Sequence, residues 1–200
     1  TKSAVRLCQM FCLIKKCEVC SMSLRVRTTL FAVASILVSL PVYIILHEGG
    51  HALVAVLCGA RITKFSVLGA YTTYEGGTFT AVTLSFTNIA GLLLPVLVAV
   101  AYMLTYRDNI KSTRYRICSY LFLIAPVCSV LSWILVPILY LAGKAPHNDD
   151  VSKFIHNSGI SPWVVMLGAT VIFCGCVFIA WKKRIIQNYW AVIKGLKEDN

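Results

Sequence analysis

One short motif, His47-Glu48-Gly49-Gly50-His51, brings two imidazoles and a carboxylate close together in the chain. On a helix, residues four apart lie on the same face, so His47 and His51 can bind one Zn²⁺. Glu48 follows the first imidazole and can act as a general base toward a water molecule at the metal. The motif therefore predicts one zinc ion per chain, with His47 and His51 as ligands and Glu48 as the catalytic residue.

The setting of the motif strengthens this interpretation. A charge-free apolar run covers residues 28–46, and a second apolar run, 52–60, follows the motif. Ionisable groups inside a membrane span cost several kcal/mol unless they are paired or bind a metal, so a role in packing alone is the weaker alternative. Gly49 and Gly50 each weaken a helix interior by about 1 kcal/mol relative to Ala. We expect them to allow the close approach of another backbone.

A third ligand must come from elsewhere, because a catalytic zinc ion usually has three protein ligands and one open position. Asp149 and Asp150 form the only acidic pair outside the C-terminal tail. They lie in a connection expected at the same membrane face as the end of the first span. We therefore expect Asp149 or Asp150 to bind the metal, with His147 and His156 as weaker candidates. The pair can also cap a helix, and one Asp can cap while the other binds.

The composition indicates what must position these residues. Of the 200 residues, 58% are hydrophobic and 14% are charged, which excludes an ordinary soluble domain. A segment at residues 61–77 is rich in β-branched and aromatic residues and predicts short strands at the membrane surface. The expected fold is a mainly α polytopic membrane protein with this short β segment and four transmembrane helices. The spans are expected at about residues 28–59, 80–106, 117–142 and 161–181.

Three segments follow from this pattern: a basic, cysteine-containing arm (1–27), a core (28–181) and a basic tail (182–200). The arm contains Cys8, Cys12, Cys17 and Cys20. These cysteines are too closely spaced for a zinc ribbon, so we favour reduced thiols in a disordered or membrane-skimming arm over a metal site.

The tail has apolar residues at helical spacing, which predicts an interfacial amphipathic helix or a plain continuation of the fourth span.

The net charge of +11 would suggest a nucleic-acid partner in a soluble protein. Here the basic residues cluster before the first span, between the second and third, and after the fourth, whereas the other two connections are nearly neutral. This alternation follows the positive-inside rule and places both termini in the cytoplasm. We therefore expect no nucleic acid and a lipid bilayer as the main partner. The expected localisation is multi-pass, in the plasma membrane of a prokaryote. The oligomeric state is left open.

The motif and its flanks resemble the site-2 protease class of intramembrane zinc metalloproteases, most closely its compact M50B-like branch. The resemblance rests on Leu46 to Leu53, on Gly59-Ala60-Arg61, and on the short β segment and the distant polar pair. It covers roughly residues 28–181 and matches His47 and His51 to zinc ligands and Glu48 to the general base. Ala90-Gly91-Leu92 is similar to a family Ala-Gly-Pro turn, with Leu92 in place of the proline.

Two departures from the family pattern leave alternatives open. Better-known members carry the third ligand in a Leu-Asp-Gly motif, whereas this chain has Asn-Asp-Asp-Val at residues 148–151, so the choice between Asp149 and Asp150 stays open. In those members the helix with the zinc motif runs toward the cytosol, whereas the charge count here sends it outward. The orientation in the membrane is therefore left open as well.

The resemblance implies a zinc metalloendopeptidase that hydrolyses peptide bonds in or near the transmembrane segments of other proteins. The strands of 61–77 offer an edge that can hold an unwound substrate segment. One alternative is a catalytically degenerate relative that binds a metal or a membrane partner. A second is a small metal transporter with His47, Glu48, His51 and Asp150 along its path, against which the lack of internal repeats counts.

Overall fold

The computed structural model describes the backbone of residues 2–198 and the side chains of residues 25–195. Within these limits the chain consists of helices and one small antiparallel sheet. The elements, in order, are α1 (Lys2–Leu57), β1 (Ala60–Ser66), β2 (Tyr71–Gly76), α2 (Ala81–Thr105), α3 (Thr113–Ser129), α4 (Ser132–Leu141), α5 (Asp150–Ser158), α6 (Pro162–Lys182) and α7 (Ile185–Glu198).

Four stretches of helix are long and apolar enough to cross a membrane, so the predicted number of spans is confirmed. Their outer surfaces are apolar; Leu37 on α1 and Leu167 on α6, for example, expose 68% and 65% of their area. Such surfaces suit lipid, and the chain is a multi-pass membrane protein. The stretches are Arg25–Leu57, Ala81–Thr105, Thr113–Leu141 and Pro162–Lys182.

The third span is divided into α3 and α4, a break that its even hydropathy does not predict. Around Val130 and Leu131 the backbone makes hydrogen bonds to the carbonyl three residues earlier instead of four. The Ser132 hydroxyl donates to the carbonyl oxygen of Ser129 at 2.7 Å. A side chain therefore satisfies a backbone group that would otherwise lie unpaired in apolar surroundings.

Helix α2 is the centre of the bundle and contacts α1, α3, α5 and α6. Its buried residues Leu92, Val96, Ala99 and Met103 recur at helical spacing and form one stripe of the core. Helix α5 lies against this helix and contributes the buried Val151 and Ile155 to the same core. This packing holds the start of α5 beside the second half of α1.

The predicted β segment is confirmed as a hairpin that follows α1 directly. Strands β1 and β2 pair antiparallel, from Ala60 opposite Gly76 to Ser66 opposite Tyr71, with an irregularity in register between Ile62 and Lys64. Both strands contact α1. The hairpin is therefore positioned next to the helix end that carries the zinc motif.

The two ends of the chain differ in how they join the spans. Arg184, with a φ of 61°, separates α6 from α7, so the tail is not a plain continuation of the fourth span. Helix α7 packs against α3, where the rings of Tyr120 and Tyr189 stack at 4.0 Å between centroids. At the other end, α1 runs without a break from Lys2 into the first span, so the described backbone of the predicted arm is helical. The side chains of Cys8, Cys12, Cys17 and Cys20 lie outside the described residues, and their role stays a prediction.

Candidate metal centre

The zinc motif lies at a close contact between α1 and α2. A Cβ atom added to Gly50 would lie 2.6 Å from the carbonyl carbon of Ala90, which is closer than real Cβ atoms come to other atoms. Gly50 therefore makes the expected approach to another backbone. Gly49 does not, because its nearest neighbour is a side-chain atom of Leu94 at 3.9 Å.

A second glycine, Gly91 on α2, makes room for the imidazoles. A Cβ atom there would lie 2.7 Å from Cε1 of His51 and 2.9 Å from Cε1 of His47. Ala90-Gly91-Leu92 lies within the continuous helix α2. The missing side chain at Gly91 thus leaves the space in which both rings of the motif lie.

The two adjacent aspartates at the start of α5 have different roles. Asp149 is the N-cap of α5, and its Oδ2 accepts hydrogen bonds from the backbone N–H groups of Val151 at 2.9 Å and Ser152 at 3.3 Å. Asp150 is the first residue of the helix, and its Oδ2 lies 3.3 Å from Nε2 of His47 and 3.2 Å from Nε2 of His51. The carboxylate of Asp150 therefore faces the two imidazoles.

Nε2 of His47, Nε2 of His51 and Oδ2 of Asp150 are spaced as three ligands of one metal ion would be. The Nε2 atoms of His47 and His51 are 3.3 Å apart, so all three separations are 3.2–3.3 Å. Ligands at about 2.0–2.1 Å from a tetrahedral ion are separated by about 3.3–3.4 Å. His47, His51 and Asp150 form a group that can hold a metal ion, and this proposed site is called the metal-binding group below. His147 and His156 border a separate cavity instead.

Neighbouring hydrogen bonds and charges leave the two Nε2 atoms and the Asp150 carboxylate in forms that can bind a metal. Nδ1 of His51 donates to the carbonyl oxygen of Thr87 at 2.7 Å, which directs the lone pair of Nε2 toward the group. Nδ1 of His47 is buried and has no hydrogen-bond partner. Burial raises the pKa of Asp150, but hydrogen bonds and charge interactions with His47 and His51 outweigh it and hold that pKa below its usual range. Asp150 is therefore an anion at neutral pH, the form that binds metals.

Comparison with known proteins assigns the chain to a family. The model of the peptidase M50B-like family matches residues 19–146, which is more than half of the chain. The chain belongs to the peptidase M50B-like family. No curated protein and no solved structure matches it. The matched M50B-like region includes the His47–His51 motif and Gly91 but ends before the aspartates, so the place of Asp150 in the group rests on the geometry alone.

In this M50B-like chain, Glu48 and the hairpin border one cavity of about 400 Å³ beside the metal-binding group. Glu48 is 5% exposed, and its backbone carbonyl oxygen accepts a hydrogen bond of 3.5 Å from the hydroxyl of Thr72 on β2. Tyr71 and Tyr74, also on β2, line the same cavity. The cavity is thus bordered by the proposed base, the metal-binding group and a β-strand.

Two contributions to the centre escaped sequence reasoning. Thr87 acts through its backbone carbonyl, a group that every residue has, so no sequence signal marks it. Gly91 acts through its lack of a side chain. Its signal was present in the resemblance of Ala90-Gly91-Leu92 to a family motif, but the spacing of the residues alone says nothing about which helix it faces.

Proposed function

We propose that this chain is an intramembrane zinc metalloendopeptidase that hydrolyses peptide bonds in or near transmembrane segments of membrane proteins. The observation that carries the proposal is the convergence of His47 Nε2, His51 Nε2 and Asp150 Oδ2 at 3.2–3.3 Å from one another. Membership of the M50B-like family and the position of the histidines within a span support the same conclusion.

The donor set favours zinc as the metal. Two imidazoles and one carboxylate, with a fourth position open, are a common ligand set of catalytic zinc sites. When bound, zinc supplies a Lewis acid that polarises the scissile carbonyl group and lowers the pKa of water. In this proposal, His47, His51 and Asp150 hold one ion per chain, and the hydrogen bond from His51 to Thr87 fixes one of the rings.

Glu48 is the proposed general base. It is adjacent to a ligand and buried, and it lines the cavity that a substrate would enter. Its carboxylate would take a proton from the attacking water and deliver it to the leaving amine as the peptide bond breaks.

Replacement of this base tests the proposal directly. The full chain is reconstituted in lipid vesicles with a pool of tagged single-span proteins, and products are identified by mass spectrometry. We expect Glu48→Gln to slow cleavage by at least about 100-fold while zinc content stays near one per chain, since the general base contributes about 10²–10⁴-fold. Cleavage by Glu48→Gln at the wild-type rate would contradict the role of Glu48.

The same assay separates the alternatives. A degenerate relative would bind zinc but release no products from the wild-type chain. A transporter would move zinc into sealed vesicles at a rate that Glu48→Gln or Asp150→Asn alters, again without cleavage. Either result would contradict the peptidase proposal.

Strand β2 is the proposed holder of the substrate segment. Peptide bonds in a helix are shielded by their own hydrogen bonds, so the segment must unwind before it is cut. Tyr71, Thr72 and Tyr74 of β2 line the cavity, and in the two-stranded sheet the edge of β2 away from β1 is available for pairing. Replacing residues 60–77 by a flexible linker should abolish cleavage and leave zinc bound. Unchanged cleavage in that variant would exclude this role.

A further inference from the structure

A second cavity, of about 820 Å³, lies between α1, α3 and α7. It is far from the metal centre, because Arg27 on its α1 side precedes His47 by about 20 residues, or about 30 Å of helix. Its lining combines three arginines, Arg27, Arg114 and Arg116, with the apolar side chains of Leu30, Phe31, Ile117, Ala191 and Val192.

The arginines place three positive charges at this cavity. Between described side chains, the only ion pairs are those of Asp150 with the two histidines, so no described carboxylate pairs with these three guanidinium groups. Arg114 lies over the ring of Phe31 at 5.8 Å, and Nε of Arg116 donates to the carbonyl oxygen of Ile110 at 3.2 Å. Helix α3 begins beside the cavity at Thr113, so the positive end of its dipole adds to the charge. These groups together favour an anion.

The walls of the cavity favour a ligand with an apolar body. Its apolar wall includes Leu30 and Phe31 from α1, Ile117 from α3 and Val192 from α7. The charge-free apolar run of the first span starts directly after Arg27, and the third span begins at Thr113, at the same level. Arginines at the start of a span lie at the depth of lipid phosphates, and the side chains that follow them lie at the depth of acyl chains.

We propose that this cavity binds one anionic phospholipid. The guanidinium groups of Arg27, Arg114 and Arg116 hold its phosphate, and its acyl chains lie along Phe31 and Val192. The lipid fills the space between α1 and α7 and so fastens α7 to the rest of the bundle. A soluble phosphate or a nucleic acid would leave the apolar wall without a partner. This binding does not depend on the peptidase activity.

Lipid binding by matched variants tests the proposal. The full chain is purified in a non-ionic detergent and titrated with phosphatidylglycerol or phosphatidylcholine, and bound lipid is counted by native mass spectrometry. The cavity variant carries Arg27→Gln, Arg114→Gln and Arg116→Gln. The control carries Arg107→Gln, Lys111→Gln and Lys182→Gln, which remove the same charge from exposed residues at the same end of the bundle.

We expect the cavity variant to bind phosphatidylglycerol at least about tenfold more weakly than wild type, and the control to stay within about twofold, since only the cavity variant removes the guanidinium groups that line the site. An equal loss in both variants, or equally tight binding of phosphatidylcholine by wild type, would overturn the proposal. Displacement of the lipid by millimolar inorganic phosphate would also overturn it, because the site would then select a free anion.

A second variant, which fills the cavity with a larger side chain, tests the proposal if the triple replacement does not fold. Ala191→Trp adds a large side chain to the wall of the cavity and leaves every charge in place. We expect it to lose phosphatidylglycerol binding by at least about tenfold as well. Wild-type binding by this variant would show that the lipid is bound elsewhere.

Discussion

Asp149 and Asp150 show how neighbouring residues of one type acquire different roles. Asp149 precedes α5 with an extended backbone, and its side chain turns back to the N–H groups of the first helical turn. Asp150 is already helical, so its side chain leaves the axis in another direction and lies beside His47 and His51. The choice between them was open in the sequence because it depends on where α5 begins and on its packing against α2.

The histidine–glutamate motif was predictable because its geometry is local. Helical spacing alone places His47 and His51 on one face and Glu48 next to them. The contributions of Thr87 and Gly91 depend on which turn of α2 faces α1, and this is fixed by the contact of Gly50 with Ala90. The turn of α2 that faces α1 is determined by how the two helices pack, so it cannot be predicted from the sequence of either segment alone.

At the residue scale, we predict that Gly91→Ala weakens zinc binding by about 10–100-fold, as the loss of supporting groups around a metal commonly does. The added methyl group would displace both imidazoles, since it would lie 2.7 Å from Cε1 of His51 and 2.9 Å from Cε1 of His47. Zinc affinity is measured by competition with a chelator. The control is Gly168→Ala in α6, where an added Cβ meets no atom within 4 Å. Equal zinc affinity in the two variants would contradict the proposed role of Gly91.

At the element scale, the close contact of α1 and α2 determines where the histidines lie. We predict that Gly50→Ala lowers the free energy of unfolding by about 1–3 kcal/mol, the usual cost of overpacking, because its methyl group would meet the backbone of Ala90. Gly49→Ala, with ordinary contacts only, should be neutral or slightly stabilising. Unfolding in a denaturing detergent compares the two variants, and equal stability would show that Gly50 does not set the distance between the helices.

Hydropathy predicted the spans, because the requirement for about 20 apolar residues is a property of a whole segment. Hydropathy did not predict the break near Val130. The mean hydropathy of a segment does not change when the hydrogen bonds of one turn go to the carbonyl three residues earlier instead of four. It also left the tail undecided between a continued span and a separate helix. The break at Arg184 separates α7, and the stacking of Tyr189 on Tyr120 fixes its position.

At the scale of the whole molecule, two sites lie at opposite ends of the bundle. The metal-binding group joins the second half of α1 to the start of α5, two elements far apart in the sequence. The arginine-lined cavity joins the start of the first and third spans to α7. Both sites require the assembled bundle.

The zinc content of three matched proteins tests the proposed metal centre most directly. Wild type, Asp150→Asn and Asp149→Asn are purified without chelators, and zinc per chain is measured by elemental mass spectrometry. We predict one zinc per wild-type chain and about one in Asp149→Asn, because Asn caps a helix as well as Asp does. Asp150→Asn should retain less than about a tenth, because it loses the third ligand, which is the one anionic ligand of the set. Full zinc content in Asp150→Asn, or its loss in Asp149→Asn, would contradict the proposed centre.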